Sequence, residues 1–256
     1  MVFGSIEIWL MLPVILVIYY LLPSKYRWSI LLLGSFAYLG YFSIPFMIYA
    51  TIFGIANYFF GNILDSMKEG KPRKRVYQLF LVLNIGQLVV YKYIDFLTDN
   101  LNNILDLFHG HEIPYLKLLV PIGISYFTFQ GIGYIINVYR RHEKPEKHLG
   151  HFLIYTLFFP KIISGPIERS ERFLPQLKNP RNFSPEMFKR GTQLIMFGMI
   201  KKLVIAERLS IIVNNVYGNL DDYTGIALVM VMFLQTIYLY MDFSGYTDIA
   251  IGIANL

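Results

Sequence analysis

Long apolar runs broken by short charged stretches set the rhythm of this chain, and their lengths are those of membrane spans. A helix rises about 1.5 Å per residue and the hydrocarbon core of a bilayer is about 30 Å thick, so a crossing takes roughly 20 mostly apolar residues. Residues 6–22, 28–42, 44–64 and 76–94 are the first four runs, the second short enough to be tilted, partly embedded or continuous with the third. Four more follow at 119–139, 149–164, 191–217 and 223–256. Between them, residues 95–111 keep Phe96, Leu97, Leu101, Ile104, Leu105 and Phe108 at helical spacing, which predicts a helix along the outer face. The pattern predicts an all-α, polytopic, multi-helix membrane protein with re-entrant or interfacial helices. With no internal repeat, low-complexity stretch or linker, residues 1–256 read as one continuous membrane domain.

Composition agrees: 55% of the residues are hydrophobic and 17% aromatic, against 16% charged. The first run has no Lys or Arg before it and no small-residue cleavage site after it, so it reads as a retained helix and not as a signal peptide. There is no cysteine, which excludes disulfides, thiolate metal sites and a catalytic thiol. The net charge of +6 does not point to nucleic acid, because the basic residues lie between apolar runs, where they set topology. Residues 68–75 hold five basic residues and one acidic, whereas residues 92–117 hold four acidic and two basic. The positive-inside rule places the first stretch in the cytoplasm and the second outside. Lys25 and Arg27, and the four basic residues of 140–148, join the cytoplasmic side, so the N-terminus faces out. Strict alternation would then put 165–190 outside, although it holds six basic residues against three acidic. A re-entrant or interfacial segment at 149–164 resolves the conflict, since Pro160, Lys161, Gly165 and Pro166 would break a helix there. Irregular backbone at membrane depth has to be buried in protein or line a wet cavity, so a cavity is implied.

Few residues carry candidate chemistry. Asp242 and Asp248 flank Ser244 and Gly245 in an otherwise apolar run. An aspartate at the centre of a spanning helix costs about 3 kcal/mol, so such residues either mark a substrate or proton path or sit near the end of the span, solvated or paired with Lys or Arg. Ser244 and Gly245 also predict a helix break. Lys201 and Lys202, followed by Glu207 and Arg208, fit a site for an anionic donor or lipid headgroup and fit equally well an interfacial helix with snorkelling side chains. Lys161, beside Pro160 and before Gly165, could steer a phosphate-bearing molecule at a broken helix, or belong to a plain positive-inside loop. His109 and His111 are a weak metal pair, His142 and His148 lie in a charged loop, and His151 reads as a satisfied core histidine. No zinc, P-loop, nucleophile-elbow or dinucleotide motif occurs. Gly131, Gly133 and the Ala250/Ala254 pair fit close helix approach.

Five blocks, read together, resemble the membrane-bound O-acyltransferases, in particular the bacterial branch of alginate O-acetyltransferases and teichoic acid D-alanyl transferases. They are residues 1–22, PIGISYFTFQGIGYIINVYRR (121–141), FPKIISGPIERSERFLPQL (159–177), MIKKLVIAERLS (199–210) and MDFSGYTDIAIGIANL (241–256). Asn137 departs from the pattern, which usually has an aspartate there. The resemblance implies a many-helix cup with a channel in the cell's inner or plasma membrane, crossed several times by the chain. An acyl donor such as acetyl-CoA would approach from the cytoplasm, and no cofactor would be tightly bound. The acyl group would leave towards an exported or cell-surface polysaccharide, with extracellular or periplasmic acceptor proteins as partners. Asp242, Ser244, Asp248 and Lys161 would line or support that path without being catalytic. The family's catalytic histidine lies beyond the serine–glycine block, so the resemblance implies the N-terminal portion of an incomplete acyltransferase fold, with that histidine expected past Leu256. A transporter or channel, or a non-catalytic membrane scaffold, is the alternative.

Overall fold

The computed structural model describes residues 6–107, 113–116, 118, 120–121 and 123–256. Among these, every regular element is helical. The helices are α1 (Ile6–Leu21), α2 (Arg27–Phe42), α3 (Ile44–Ser66), α4 (Lys71–Leu107), α5 (Ile124–Tyr139), α6 (Leu149–Leu157), α7 (Ser170–Lys178), α8 (Pro185–Met199), a π-helix (Ile200–Ala206), α9 (Glu207–Gly218) and α10 (Ile226–Asn255). Three are long and apolar enough to cross a membrane: α3, α4 and α10, of 23, 37 and 30 residues. The chain is a membrane protein.

Local chemistry explains the ends. The Ser43 hydroxyl accepts from the Phe46 N–H at 3.3 Å and Pro45 follows in the first turn, so α3 starts cleanly one residue after α2 stops. Ser184 and Pro185 do the same for α8, with 3.4 Å to the Met187 N–H. Arg141 closes α5 in the left-handed region at φ 61°. Its guanidinium donates to the Asp65 carboxylate at 2.7 Å and to the Met67 carbonyl at 3.3 Å, which offsets a strain of roughly 1 kcal/mol.

Three boundaries differ from the sequence reading. The helix predicted over 95–111 is present to Leu107, but as the end of α4 and not as a separate element on the outer face. No Gly or Pro lies between Gln87 and Leu107, and Thr98 and Asn100 bond back to carbonyls four residues earlier, so nothing interrupts the hydrogen-bond ladder. Most of the basic stretch 68–75 is likewise helical, since α4 begins at Lys71. The break expected at Ser244 and Gly245 does not occur, because α10 runs unbroken through both. The segment 149–164 is helical only to Leu157. Its 9 residues rise about 14 Å, under half of the hydrocarbon thickness.

The residues fall into two compact units. The first comprises residues up to Gly34, Phe158–Pro166 and Asn179–Leu256. Arg27 anchors α1 to the later residues there: it donates to the Leu22 carbonyl at 3.1 Å and the Arg181 carbonyl at 2.9 Å, and it lies over the Tyr19 and Tyr20 rings. The Tyr20 hydroxyl reaches the Leu256 carbonyl at 2.6 Å. Helices α8 and α10 run antiparallel, with Gly191 against Gly252 and Gly198 against Gly245. A Cβ on Gly198 would lie 2.6 Å from the Gly245 carbonyl oxygen, and one on Gly252 would lie 2.7 Å from that of Gly191. Only glycine allows this spacing.

The second unit comprises Ser35–Leu157 and Ile167–Lys178. Leu64, Phe80, Tyr134, Ile135, Val138, Phe152, Tyr155 and Leu174 bury their side chains together at its centre. Tyr134 is fully enclosed, and its ring occupies the space a side chain on Gly61 would need. Gly131 is also a point of close approach, with Phe53 and Asn57 about 3 Å from where its Cβ would stand, whereas a Cβ on Gly133 would meet nothing within 4 Å among the described residues.

Candidate functional site

Asp242, Ser244 and Asp248 are brought together with Lys201 and Lys202 on the α10 side of the first unit. Ser244 and Asp248 are four residues apart and share a helix face. Lys201 Nζ donates to Asp248 Oδ2 at 2.6 Å and to Ser244 Oγ at 3.0 Å. Lys202 donates to Asp242 Oδ1, and its ammonium lies 5.9 Å from the centre of the Tyr246 ring. Lys202 is buried and the Lys201–Asp248 pair is half-buried. Adjacent residues of an α-helix diverge by about 100° and rarely serve one neighbour. Here the lysines sit in the wider π-turn, and Gly245 lets that turn approach: a Cβ at Gly245 would stand 3.0 Å from the Lys202 backbone nitrogen. The glycine predicted to break α10 therefore serves the neighbouring helix.

This arrangement fixes what the groups can do. Each of the two carboxylates already accepts a charge-assisted hydrogen bond from a lysine. Ser244 accepts a hydrogen bond from a cation, and none of the described contacts gives it a base, so it is not an activated nucleophile. The constellation stores two neutralised charge pairs inside an apolar helix pair. Of the two sequence readings of Asp242 and Asp248, the geometry shows pairing with lysine. Lys201 and Lys202 are the lysines that supply this pairing.

Lys161 lies in a different place, the tight turn after Phe158. The Lys161 N–H donates to the Phe158 carbonyl at 3.0 Å and the Gly165 N–H to the Lys161 carbonyl at 2.9 Å. The Lys161 side chain is buried, and a side chain on Gly165 would run into the Lys161 backbone.

The second unit carries a titratable cluster that the sequence did not single out. Glu143 and Glu146 follow α5, and α7 brings Ser170 and Lys178 to them. The Ser170 hydroxyl donates to Glu143 at 2.5 Å, and Lys178 pairs with Glu146 at 2.8 Å. Burial pushes the Glu143 carboxyl up, against the lowering effect of hydrogen bonds from Ser170 and Asn137. An aspartate at 137 would set a second negative charge beside Glu143 in place of this hydrogen bond. Burial also raises Glu146, but the Lys178 ammonium and the His148 N–H outweigh it and hold that carboxyl low. His148 and His151 stack with ring centres 4.2 Å apart, and burial, followed by the charge of His148, holds His151 below the usual histidine range. His109 and His111 lie outside the described residues. Tyr155 is buried where the two long motifs meet: its hydroxyl donates to the carbonyls of Gln130 and Glu168, each at 3.3 Å, and Gln130 Nε2 donates to its carbonyl at 2.7 Å. The motif residues of 121–141 and 167–177 are thus joined through backbone carbonyls.

No family model matches the chain. It is 34% identical over 255 residues to the "Probable alginate O-acetylase AlgI" of Azotobacter vinelandii, covering 99% of this chain and 51% of that protein. The peptidoglycan O-acetyltransferase of Helicobacter pylori is 27% identical over 252 residues, covering 87% of this chain and 46% of that one. The teichoic acid D-alanyltransferase of Bacillus subtilis is 30% identical over 157 residues, covering 57% of this chain and 37% of that one. The chain spans about half the length of the curated relatives it matches.

Proposed function

Because the chain belongs to the membrane-bound O-acyltransferase family, we propose that it forms part of the membrane body of an enzyme that transfers acyl groups, acetyl first among them, to hydroxyls of an exported or cell-surface polysaccharide. The observation that carries this reading is similarity to proteins of that activity along nearly the whole chain. The donor is a thioester such as acetyl-CoA reaching the protein from the cytoplasm, and the acceptor side faces out of an inner or plasma membrane that the chain crosses several times. Periplasmic or extracellular acceptor proteins would take part there.

The chemistry makes one demand on residues. A hydroxyl oxygen attacks the thioester carbonyl, the thiolate leaves, and a base removes the hydroxyl proton, a step typically worth about 10²- to 10⁴-fold. Asp242 and Asp248 are tied to lysines, and His148 and His151 are engaged with each other. We therefore place the base where the family resemblance puts it, past Leu256, while Asp242, Ser244, Asp248 and Lys161 support the acyl path. The test is acetyl and D-alanyl incorporation into surface polymer in a host lacking its own O-acyltransferase, comparing this chain with the product of its complete reading frame. Incorporation by the complete product alone is expected. Incorporation by this chain alone, abolished by His151→Ala, would place the base within it; none by either, with any thioester donor supplied, would overturn the acyltransferase reading.

A further inference from the structure

We propose that the N-terminal end of α4, in the second unit, is a binding site for a phosphate-bearing anion, with Arg73 as its fixed cation. A cleft of about 270 Å³ opens there, lined by Glu69, Gly70, Arg73 and Tyr139. Arg73 is only 4% exposed, which is unusual for a guanidinium. It is held in place from three sides. Nε donates to the Leu64 carbonyl at 3.0 Å, Nη2 to the Val138 carbonyl at 3.1 Å, and the guanidinium carbon lies 4.8 Å from the centre of the Tyr139 ring. Tyr139 is itself stacked on Tyr77 at 3.9 Å.

These contacts leave Nη1 without a hydrogen-bond partner among the described residues, on a side chain that lines the cleft. Neither neutral carbonyl cancels the positive charge. Around it the backbone adds a second attraction. Gly70, at φ 148°, turns the chain into α4, and the first intrahelical bond runs from the Lys74 N–H to the Gly70 carbonyl. The N–H groups of Lys71 and Arg73 therefore have no partner within the helix, at the positive end of a 37-residue dipole. Lys68, Lys71, Lys74 and Arg75 lie within five residues of Arg73 in the sequence, and Glu69 is the one acidic residue of 68–75. A guanidinium held in place with Nη1 left over, backbone N–H groups without intrahelical partners and an excess of nearby basic residues match a phosphate group. The same chemistry is offered by a phospholipid headgroup and by a soluble phosphate.

The purified chain decides the matter through its unfolding midpoint, since a ligand that binds only the folded form raises it in a saturable way. Inorganic phosphate is titrated in neutral detergent against chloride at matched ionic strength. In parallel, nanodiscs of phosphatidylcholine alone are compared with nanodiscs containing phosphatidic acid. Saturable stabilisation by inorganic phosphate identifies a soluble source; stabilisation by phosphatidic acid alone identifies a headgroup. Arg73→Lys should weaken binding by about tenfold. Because Arg73 also ties three helices together, Glu69 supplies variants that leave those ties intact: affinity should rise in the order wild type, Glu69→Gln, Glu69→Lys. Absence of saturable stabilisation by either probe, or equal affinity in wild type and both Glu69 variants, overturns the site.

Discussion

At the scale of single residues, the buried charges are defined by their partners. Lys202 is 8% exposed and has Asp242 as its counter-charge, so Asp242→Asn strands an ammonium in an apolar setting. Removing one member of a pair whose ammonium is buried leaves that charge uncompensated, whereas replacing both members by apolar groups is often neutral; the partial exposure of Asp242 moderates the loss. Asp242→Asn should therefore lower the unfolding midpoint in detergent, and Lys202→Met combined with Asp242→Leu should recover most of it; equal losses in the single and double variants would contradict the pairing. His151 gives the second residue-scale expectation. Its folded pKa lies below the unfolded value of about 6.5, so just below that pH the unfolded chain binds more protons and stability rises with pH. This contribution is complete above the unfolded value and is lost on acidification. Glu143, raised by burial, acts in the opposite sense at lower pH. Between pH 7 and 5.5 the midpoint of the wild type should fall, and His151→Asn should flatten or reverse that slope. The charges themselves were legible in the sequence as breaches of an apolar run. Their pairing was not, because the partners lie 40 and 47 residues apart and no local pattern links them.

At the scale of elements, glycine spacing holds α8 to α10. Gly191 and Gly198 are seven residues apart, as are Gly245 and Gly252, so each pair returns to nearly the same helix face and meets the other. Gly245→Val would drive its side chain against the Gly198 carbonyl and the π-turn, costing on the order of 1–3 kcal/mol as overpacking does. Gly133→Ala is the matched control: its Cβ meets nothing within 4 Å among the described residues, and the gain in helix propensity should leave the stability unchanged or raised by up to about 1 kcal/mol. Destabilisation of similar size in both variants would show that glycine acts through backbone freedom and not through spacing. The seven-residue repeat was present in the sequence, but Gly245 there resembled a helix breaker. Its role depends on what packs against it. Hydrophobic periodicity located the helices better than their ends: α4 continues several turns past its apolar stretch, through Thr98 and Asn100, whose side chains bond back along the helix.

At the scale of the whole molecule, α4 carries the clearest charge signal for orientation in a bilayer. Its 37 residues rise about 55 Å, well beyond a hydrocarbon core of about 30 Å, so both ends must emerge. The charges say where. Residues 76–91 carry none, Lys71, Arg73, Lys74 and Arg75 crowd the first end, and Asp95, Asp99 and Asp106 outnumber Lys92 at the other. A basic first end belongs in the cytoplasm by the positive-inside rule. The native chain has no cysteine, so single replacements report without background. In spheroplasts a membrane-impermeant thiol reagent should modify Asp106→Cys and should reach Lys71→Cys only after permeabilisation. The reverse pattern would invert the orientation and place the arginine cleft on the outer face; labelling of both positions from outside would mean that α4 does not cross. Because α6 is too short to span, Arg169→Cys should then share the protection of Lys71→Cys, and its labelling in intact spheroplasts would show that residues 149–164 make the crossing their helix length argues against.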